Sequence, residues 1–276
     1  MIKSSAAKIL AALALTLAAG ATAFAQFSPD SPAGFDTSVI RLFNGINAFT
    51  AAADVQMVDT NRQEMGRMPM TFALRDGKLR IDMDLMQMKG RNIEPRAVAW
   101  LQQVGLDRLA VIMRPDRKRV YIAFPRAKSY VDRQMSDADL EATGKNAQLR
   151  TTPLGNETLD GHSCAKNKLT LVKSKGAPPL EAFTWNAADL KGFPVQITMP
   201  AKEGTAIIRF SKVQLARPDA PQFEAPAGFA KFSGADALML SISLKQSMAQ
   251  KTAPSRPAPK AATKTQPNPP ANPAKK

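Results

Sequence analysis

The sequence predicts an α+β fold: a curved antiparallel sheet, an incomplete β-barrel, with a few helices covering its concave face. Three observations carry this expectation. Apolar and polar residues alternate with period two through most of 49–215, the pattern of strands with one buried face. Turn-forming pairs such as Asp76-Gly77 and Pro115-Asp116 separate successive runs. Helical periodicity is confined to a few short segments. A single sheet of eight or more strands has to curl and cover its apolar face, because a flat exposed sheet of about that size aggregates.

The chain opens MIKSSAAKILAALALTLAAGATAFAQ, with Lys3 and Lys8 ahead of an uncharged run from Ile9 to Ala25. This reads as a secretory signal peptide over 1–25. Ala23-Phe24-Ala25 supplies an A-x-A cleavage signal, with Gln26 as the first mature residue, and Ala21-Thr22-Ala23 is a second candidate. The alternative is a retained anchor, for which the run is short and rich in alanine. No cysteine stands at either cleavage point and no twin arginine precedes the run. The expected location is therefore the periplasm, reached by general export and without lipoprotein modification.

A single domain is expected over 26–248. Its first helix covers DTSVIRLFNGIN, 36–47, with Val39, Ile40, Phe43 and Ile46 on one stripe. A strand follows at 49–58. MPMTFAL and LRIDMDL then form a hairpin: Met68, Met70, Phe72 and Leu74 on one strand share a face with Leu79, Ile81, Met83 and Leu85 on the next. MQMKGRNIEP, 86–95, reads either as a mobile rim or lid or as a solvated connector. A helix around Trp100 (94–105), strands at 108–114 and 119–125, and a helix at 136–144 come next. The second half is a meander of strands at 148–161, 162–173, 180–187, 193–200 and 205–215, closed by a helix at 234–246.

Residues 249–276 contain seven prolines, six basic residues, no acidic residue and no aromatic one, and are expected to be a disordered basic Pro/Ala/Lys-rich tail. Those six cations and the two leader lysines leave +7 of the formal +15 for 26–248. Export removes nucleic acid as a partner, and the basic residues lack interleaved aromatic platforms. An anionic envelope surface is the partner expected for the tail, since each Lys or Arg near such a surface gains about 1 kcal/mol. The alternative is a soluble spacer.

His162 and Cys164 are the sole histidine and cysteine of the 276 residues. Two residues apart on a strand, their side chains stand about 6 to 7 Å from each other, too far for a thiol–imidazole hydrogen bond. Structural zinc takes four ligands of these types, and two are present. GxSxG, HExxH, Walker and GxGxxG patterns are absent. The expectation is no enzyme, no cofactor, no metal and no catalytic residue. Cys164 reads as a small buried residue, although its alternation with Lys166 and Lys168 makes that burial less secure.

The order of elements resembles a known superfamily. The residues that carry it are Phe49, Ala51 and Val55 on the first strand, the D-G-K-x-R-x-D hairpin at Asp76, Gly77, Lys78, Arg80 and Asp82, and an aromatic strand ending Pro125, Lys128, Ser129 and Tyr130. They continue with Gly155, Glu157, Gly161, Cys164 and Lys166, the segment FTWNAADLKGFPVQI, and a closing Phe223, Pro226, Gly228 and Phe229. Over roughly 36–230 this resembles the LolA/LolB-like superfamily of outer-membrane lipoprotein sorting, as an exported relative. The resemblance implies an incomplete antiparallel barrel closed by helices around an apolar cavity for acyl chains. It does not imply an enzyme, and it places the G-x-x-C element on a strand.

The function expected is that of a non-catalytic periplasmic binding protein whose partner is a lipid acyl chain or a lipidated protein. Methionines cluster around the first hairpin, and an unbranched thioether adapts to irregular shapes. Met70, Phe72, Ile81 and Met83 share one face and are the expected cavity wall, with Trp100 and Trp185 as larger contacts. The alternative is a structural or regulatory envelope interaction domain without a lipid cavity.

Overall fold

The computed structural model describes residues 37–91, 93–144, 147–173, 178–201 and 204–252; the expected signal peptide and most of the expected tail lie outside them. The chain divides between Met239 and Leu240 into two units. The first holds helices α1 (Val39–Leu42), α2 (Pro95–Val104) and α3 (Asp137–Thr143) and all thirteen described strands. These are β1 (Ala48–Val58), β2 (Glu64–Arg75), β3 (Lys78–Asp84), β4 (Lys89–Gly90), β5 (Arg108–Arg114), β6 (Arg119–Phe124) and β7 (Ser129–Gln134). The series continues with β8 (Gln148–Leu159), β9 (His162–Val172), β10 (Leu180–Ala187), β11 (Phe193–Ala201), β12 (Gly204–Gln214) and β13 (Ala230–Phe232). Helix α4 (Ala235–Thr252) starts in the first unit and continues into the second.

All strands belong to one sheet of order β13-β7-β6-β5-β3-β2-β1-β12-β11-β10-β9-β8, with β4 beside β2. Among the described strands only β13 pairs in parallel, with β7. Two meanders, β1 to β7 and β8 to β12, are stitched together where β12 pairs with β1. Strands β8 and β13 end the order without pairing to each other, so the sheet is open. This is the α+β, mostly antiparallel architecture that the alternation predicts.

Local chemistry explains the hairpins. Asp76 and Gly77 both take positive φ, 50° and 74°, as a two-residue turn of type I′ requires. The turn sets β2 against β3 so that Leu74 opposes Leu79, Phe72 opposes Ile81 and Met70 opposes Met83. The same face continues through Val111 and Leu109 on β5 and through Ala51, Ala53 and Val55 on β1. One register thus collects the apolar side chains of four strands, and these are buried.

Helix α1 is shorter than the 36–47 expected, because the chain turns at Asn44 and Gly45, the latter at φ 81°. Phe43, just beyond it, packs on the inner face against Phe49, Phe193 and Phe210, with ring centroids 4.7, 6.1 and 5.6 Å away. Phe72 joins by an edge contact to Phe210 at 5.3 Å. Helix α3 locks onto the start of α1: Thr37 N and Oγ1 donate to Asp139 Oδ1, and Thr37 Oγ1 also donates to the Asp139 carbonyl. Asp139 meanwhile completes a capping box with Ser136.

The opposite face of β2, β5 and β6 is covered as well. Ala73, Ile112 and Tyr121 form a second cluster closed by Phe223, which is fully buried. The strap around Phe223 is held by three arginines that donate to its carbonyls: Arg75 to Pro218, Arg80 to Gln222 and Arg114 to Phe223. The Phe223 motif of the closing segment is therefore a cover for the sheet.

Three strands depart from expectation. The strand expected at 119–125 is β6, but the chain then turns at 125–128 and returns as β7, a strand the pattern does not reveal because its charged Asp132 and Arg133 mask its alternation. Strand β13 is three residues long and pairs with a strand about a hundred positions earlier. Strand β4 has two residues and lies within the 86–95 segment.

Candidate functional site

The four strand residues expected to line a cavity come together. Met70 and Phe72 on β2 stand opposite Met83 and Ile81 on β3, and the four side chains are 0 to 4% exposed. Their neighbours on the same face are Met68 and Met57, both buried, with Val55 opposite Met68 and Ala53 opposite Met70. Small side chains on β1 thus stand opposite large ones on β2. One end of the face is closed by the phenylalanine cluster through Phe72, and the other end is rich in methionine. Met57 and Leu109 belong to this wall by register, and the alternation of FTAAADVQMV contained the signal for Met57.

The methionine end meets the segment that follows β3. Asp84 accepts a hydrogen bond from Met86 N and starts a 3-10 turn at Leu85–Gln87, which packs on β2. Lys89 and Gly90 then pair with Arg67 and Gly66, and Arg91 N donates to the Met65 carbonyl. Residues 89–91 of this segment are thus hydrogen-bonded to β2 beyond the end of β3 rather than forming a bare connector. Helix α2 packs on the 3-10 turn and contains no buried residue; its apolar stripe of Val98, Leu101 and Val104 is half-buried. Trp100 sits on this helix and is half-buried.

Trp185 is elsewhere. On β10 it faces Lys166 of β9, its indole N–H donates to Glu157 Oε2 at 2.7 Å, and Lys166 Nζ lies 5.0 Å from the ring centroid. Lys166 also pairs with Glu157 at 2.7 Å. These two donors, Lys166 first, hold the Glu157 carboxyl below the usual glutamate range. Trp185 therefore belongs to a polar cross-strand trio and does not join the Met70 wall.

Cys164 is 1% exposed, because the turn at Ala188–Leu190 packs against β9. Burial raises its thiol pKa, and Sγ donates to the His162 carbonyl at 3.5 Å. The His162 ring turns to Asp189 instead, with Nδ1 2.8 Å from Oδ2. A thiol kept protonated and bonded to a carbonyl is a poor nucleophile. Among the described residues no three His, Cys, Asp or Glu side chains are grouped to hold a metal ion.

No protein-family model matches the chain, and no curated protein matches it. Solved structures do resemble it. A LolA superfamily protein from Nitrosomonas europaea aligns over 68% of this chain and 94% of its own, at 11% identity and a TM-score of 0.34. The lipoprotein LppX from Mycobacterium tuberculosis covers 64% of this chain and 91% of its own, at 13% identity and a TM-score of 0.34. LprF from Mycobacterium bovis covers 66% and 96%, at 13% identity and a TM-score of 0.32.

Proposed function

We propose that this chain is a non-catalytic binding protein of the periplasm, exported by residues 1–25, that holds an acyl chain of a lipid or a lipidated protein. The acyl chain lies against Met70, Phe72, Ile81 and Met83 on the inner face of β2 and β3. The observation that supports this best is the continuous thioether surface of Met57, Met68, Met70 and Met83 at one end of that face. Unbranched side chains of this kind rearrange around a flexible guest at low cost. The entrance is the 85–104 segment, whose helix has a half-buried apolar stripe but no fully buried residue and so costs less to displace than a core helix. Trp100 then acts at the entrance rather than in the wall, and Trp185 has no part.

A second reading is favoured by the near-complete burial of the same four side chains, which suits a filled core and an interaction domain without lipid. Native mass spectrometry of the chain purified from its own envelope, followed by solvent extraction, separates the two. Co-purifying acyl lipid is the expected result. Met70→Ile with Met83→Ile keeps the volume but adds β-branched stiffness, and lowers lipid occupancy by about tenfold while the fold is retained. A bare polypeptide mass, under conditions that preserve the cargo of an authentic lipid carrier, sinks the acyl reading and leaves the interaction domain.

A further inference from the structure

Among the described residues, five large apolar side chains stand strongly exposed: Met86, Leu154, Leu240, Leu244 and Met248. Three of the five, at 62, 56 and 68% exposure, recur every fourth position on α4. At about 100° per residue they form one narrow stripe along the helix. Ile242, which is buried, projects from the opposite side. A helix of a soluble domain directs its leucines inward and its polar residues outward; this one directs a second apolar stripe into solvent.

Beyond Asp236, which stands one turn before Leu240 on the same side of α4, the charge has one sign. No acidic residue follows Asp236, whereas Lys245, Lys251, Arg256, Lys260, Lys264, Lys275 and Lys276 do. We infer that Leu240, Leu244 and Met248 insert into an anionic phospholipid surface, with the cations of 245–276 attracted to its phosphate headgroups. An apolar stripe or a polybasic segment alone gives weak, reversible attachment, and the two together give a stable one. The charge selects this occupant over a second copy of the chain, which would bring the same cations to the contact and be repelled. The inference concerns the outside of α4 and does not depend on acyl binding within the sheet.

Co-sedimentation of the exported chain with vesicles tests it, using equimolar phosphatidylglycerol and phosphatidylethanolamine against phosphatidylcholine alone. The expected result is binding to the anionic vesicles about tenfold or more tighter, weakening steeply with salt. Leu240→Ser with Leu244→Ser loses about thirtyfold in affinity with an unchanged circular-dichroism melt, since both side chains are solvated. A chain ended at Thr252 loses a similar amount and most of the salt dependence. If the double variant unfolds, Met248→Ser alone, expected to cost about fivefold, decides the matter. Equal affinity for both vesicles, or unchanged affinity of the folded leucine variants, overturns the proposal. So does a dimer in sedimentation velocity that the leucine substitutions dissociate while vesicle binding is absent.

Discussion

Strands β5 and β6 are buried on both faces, with six of the seven β5 residues inaccessible, whereas β8, at the edge of the same sheet, is exposed along nearly its whole length. The difference lies in what covers them. The inner face of β5 meets the β3 side chains in the core, and its outer face meets Phe223 and the strap. Strand β8 ends the sheet with β9 as its one paired neighbour among the described residues, and most of its side chains are accordingly Thr, Asn, Gln, Arg and Glu, although Leu154 is exposed among them. An antiparallel strand alternates only where one face stays wet; covered twice, it reads as a continuous apolar run. RLAVIMR, seen alone, already looks like such a run, yet nothing near it in sequence says what lies on the second face.

The two regions also use charge differently. Arg114, 3% exposed, donates to Asp116, Glu224 and the Phe223 carbonyl, so an ion pair fastens the strap to the covered half. On the other half, Lys166 with Glu157 and Lys168 with Glu181 form ladders in solvent. Exposed pairs of that kind contribute little to stability.

The largest break in this comparison comes from Phe223→Ala. It empties a fully buried ring site and uncovers Ile112 and Tyr121, and should cost about 3 to 5 kcal/mol in denaturant unfolding. A loss below about 1 kcal/mol would mean that the strap is not part of the core.

Next is Arg114→Ala, expected to cost about 2 kcal/mol, because its carboxylate partners are partly solvated and the full penalty of a broken buried pair does not apply. Arg114→Lys should not restore the loss, since an ammonium cannot hold both Asp116 oxygens and the Phe223 carbonyl. The pair also has a pH signature. The Arg114 guanidinium holds the Asp116 carboxyl below the usual aspartate range. A depressed folded-state pKa gives stability that is present above the ordinary carboxylate value and lost as pH falls through the lowered one. The acid limb of the stability curve should therefore flatten in Arg114→Ala; an unchanged limb would assign the acid sensitivity to other carboxylates.

The smallest effect sharpens the solvent-facing side. In a Trp100→Phe background, Trp185 fluorescence should report protonation of Glu157, with its midpoint below the ordinary glutamate value because Lys166 and the indole N–H both favour the carboxylate. Glu157→Gln should abolish that transition and shift the unfolding midpoint very little. A transition that persists would place the titrating group elsewhere.

Much of the fold was legible in the chain. The Asp76-Gly77 turn, the alternation of 68–74 and 79–85, and the strands from 148 to 215 rest on local rules: positive φ at a tight turn, and side chains that alternate with the pleat. The same rules brought Met70, Phe72, Ile81 and Met83 onto one wall, because register across a hairpin follows from the turn. They did not locate Trp185 beside Lys166 and Glu157 or Trp100 on α2, because side-chain size says nothing of which surface a residue will meet. They also failed for β7, where ion pairs with Lys231 and Arg119 conceal the strand, and for β13, whose partner lies about a hundred residues away.

What the sequence determined by itself is the period of the strands, the hairpin turns and the sign of the charge at the C-terminal end, all of them set by neighbours within a few positions. The tertiary structure alone decided that a strap around Phe223 seals the second face of β5 and β6. It also decided that Cys164 is buried beneath the 188–190 turn although it alternates with lysines, and that β12 returns to β1. Burial depends on what arrives from far along the chain, and loop closure over such distances leaves no local periodic trace.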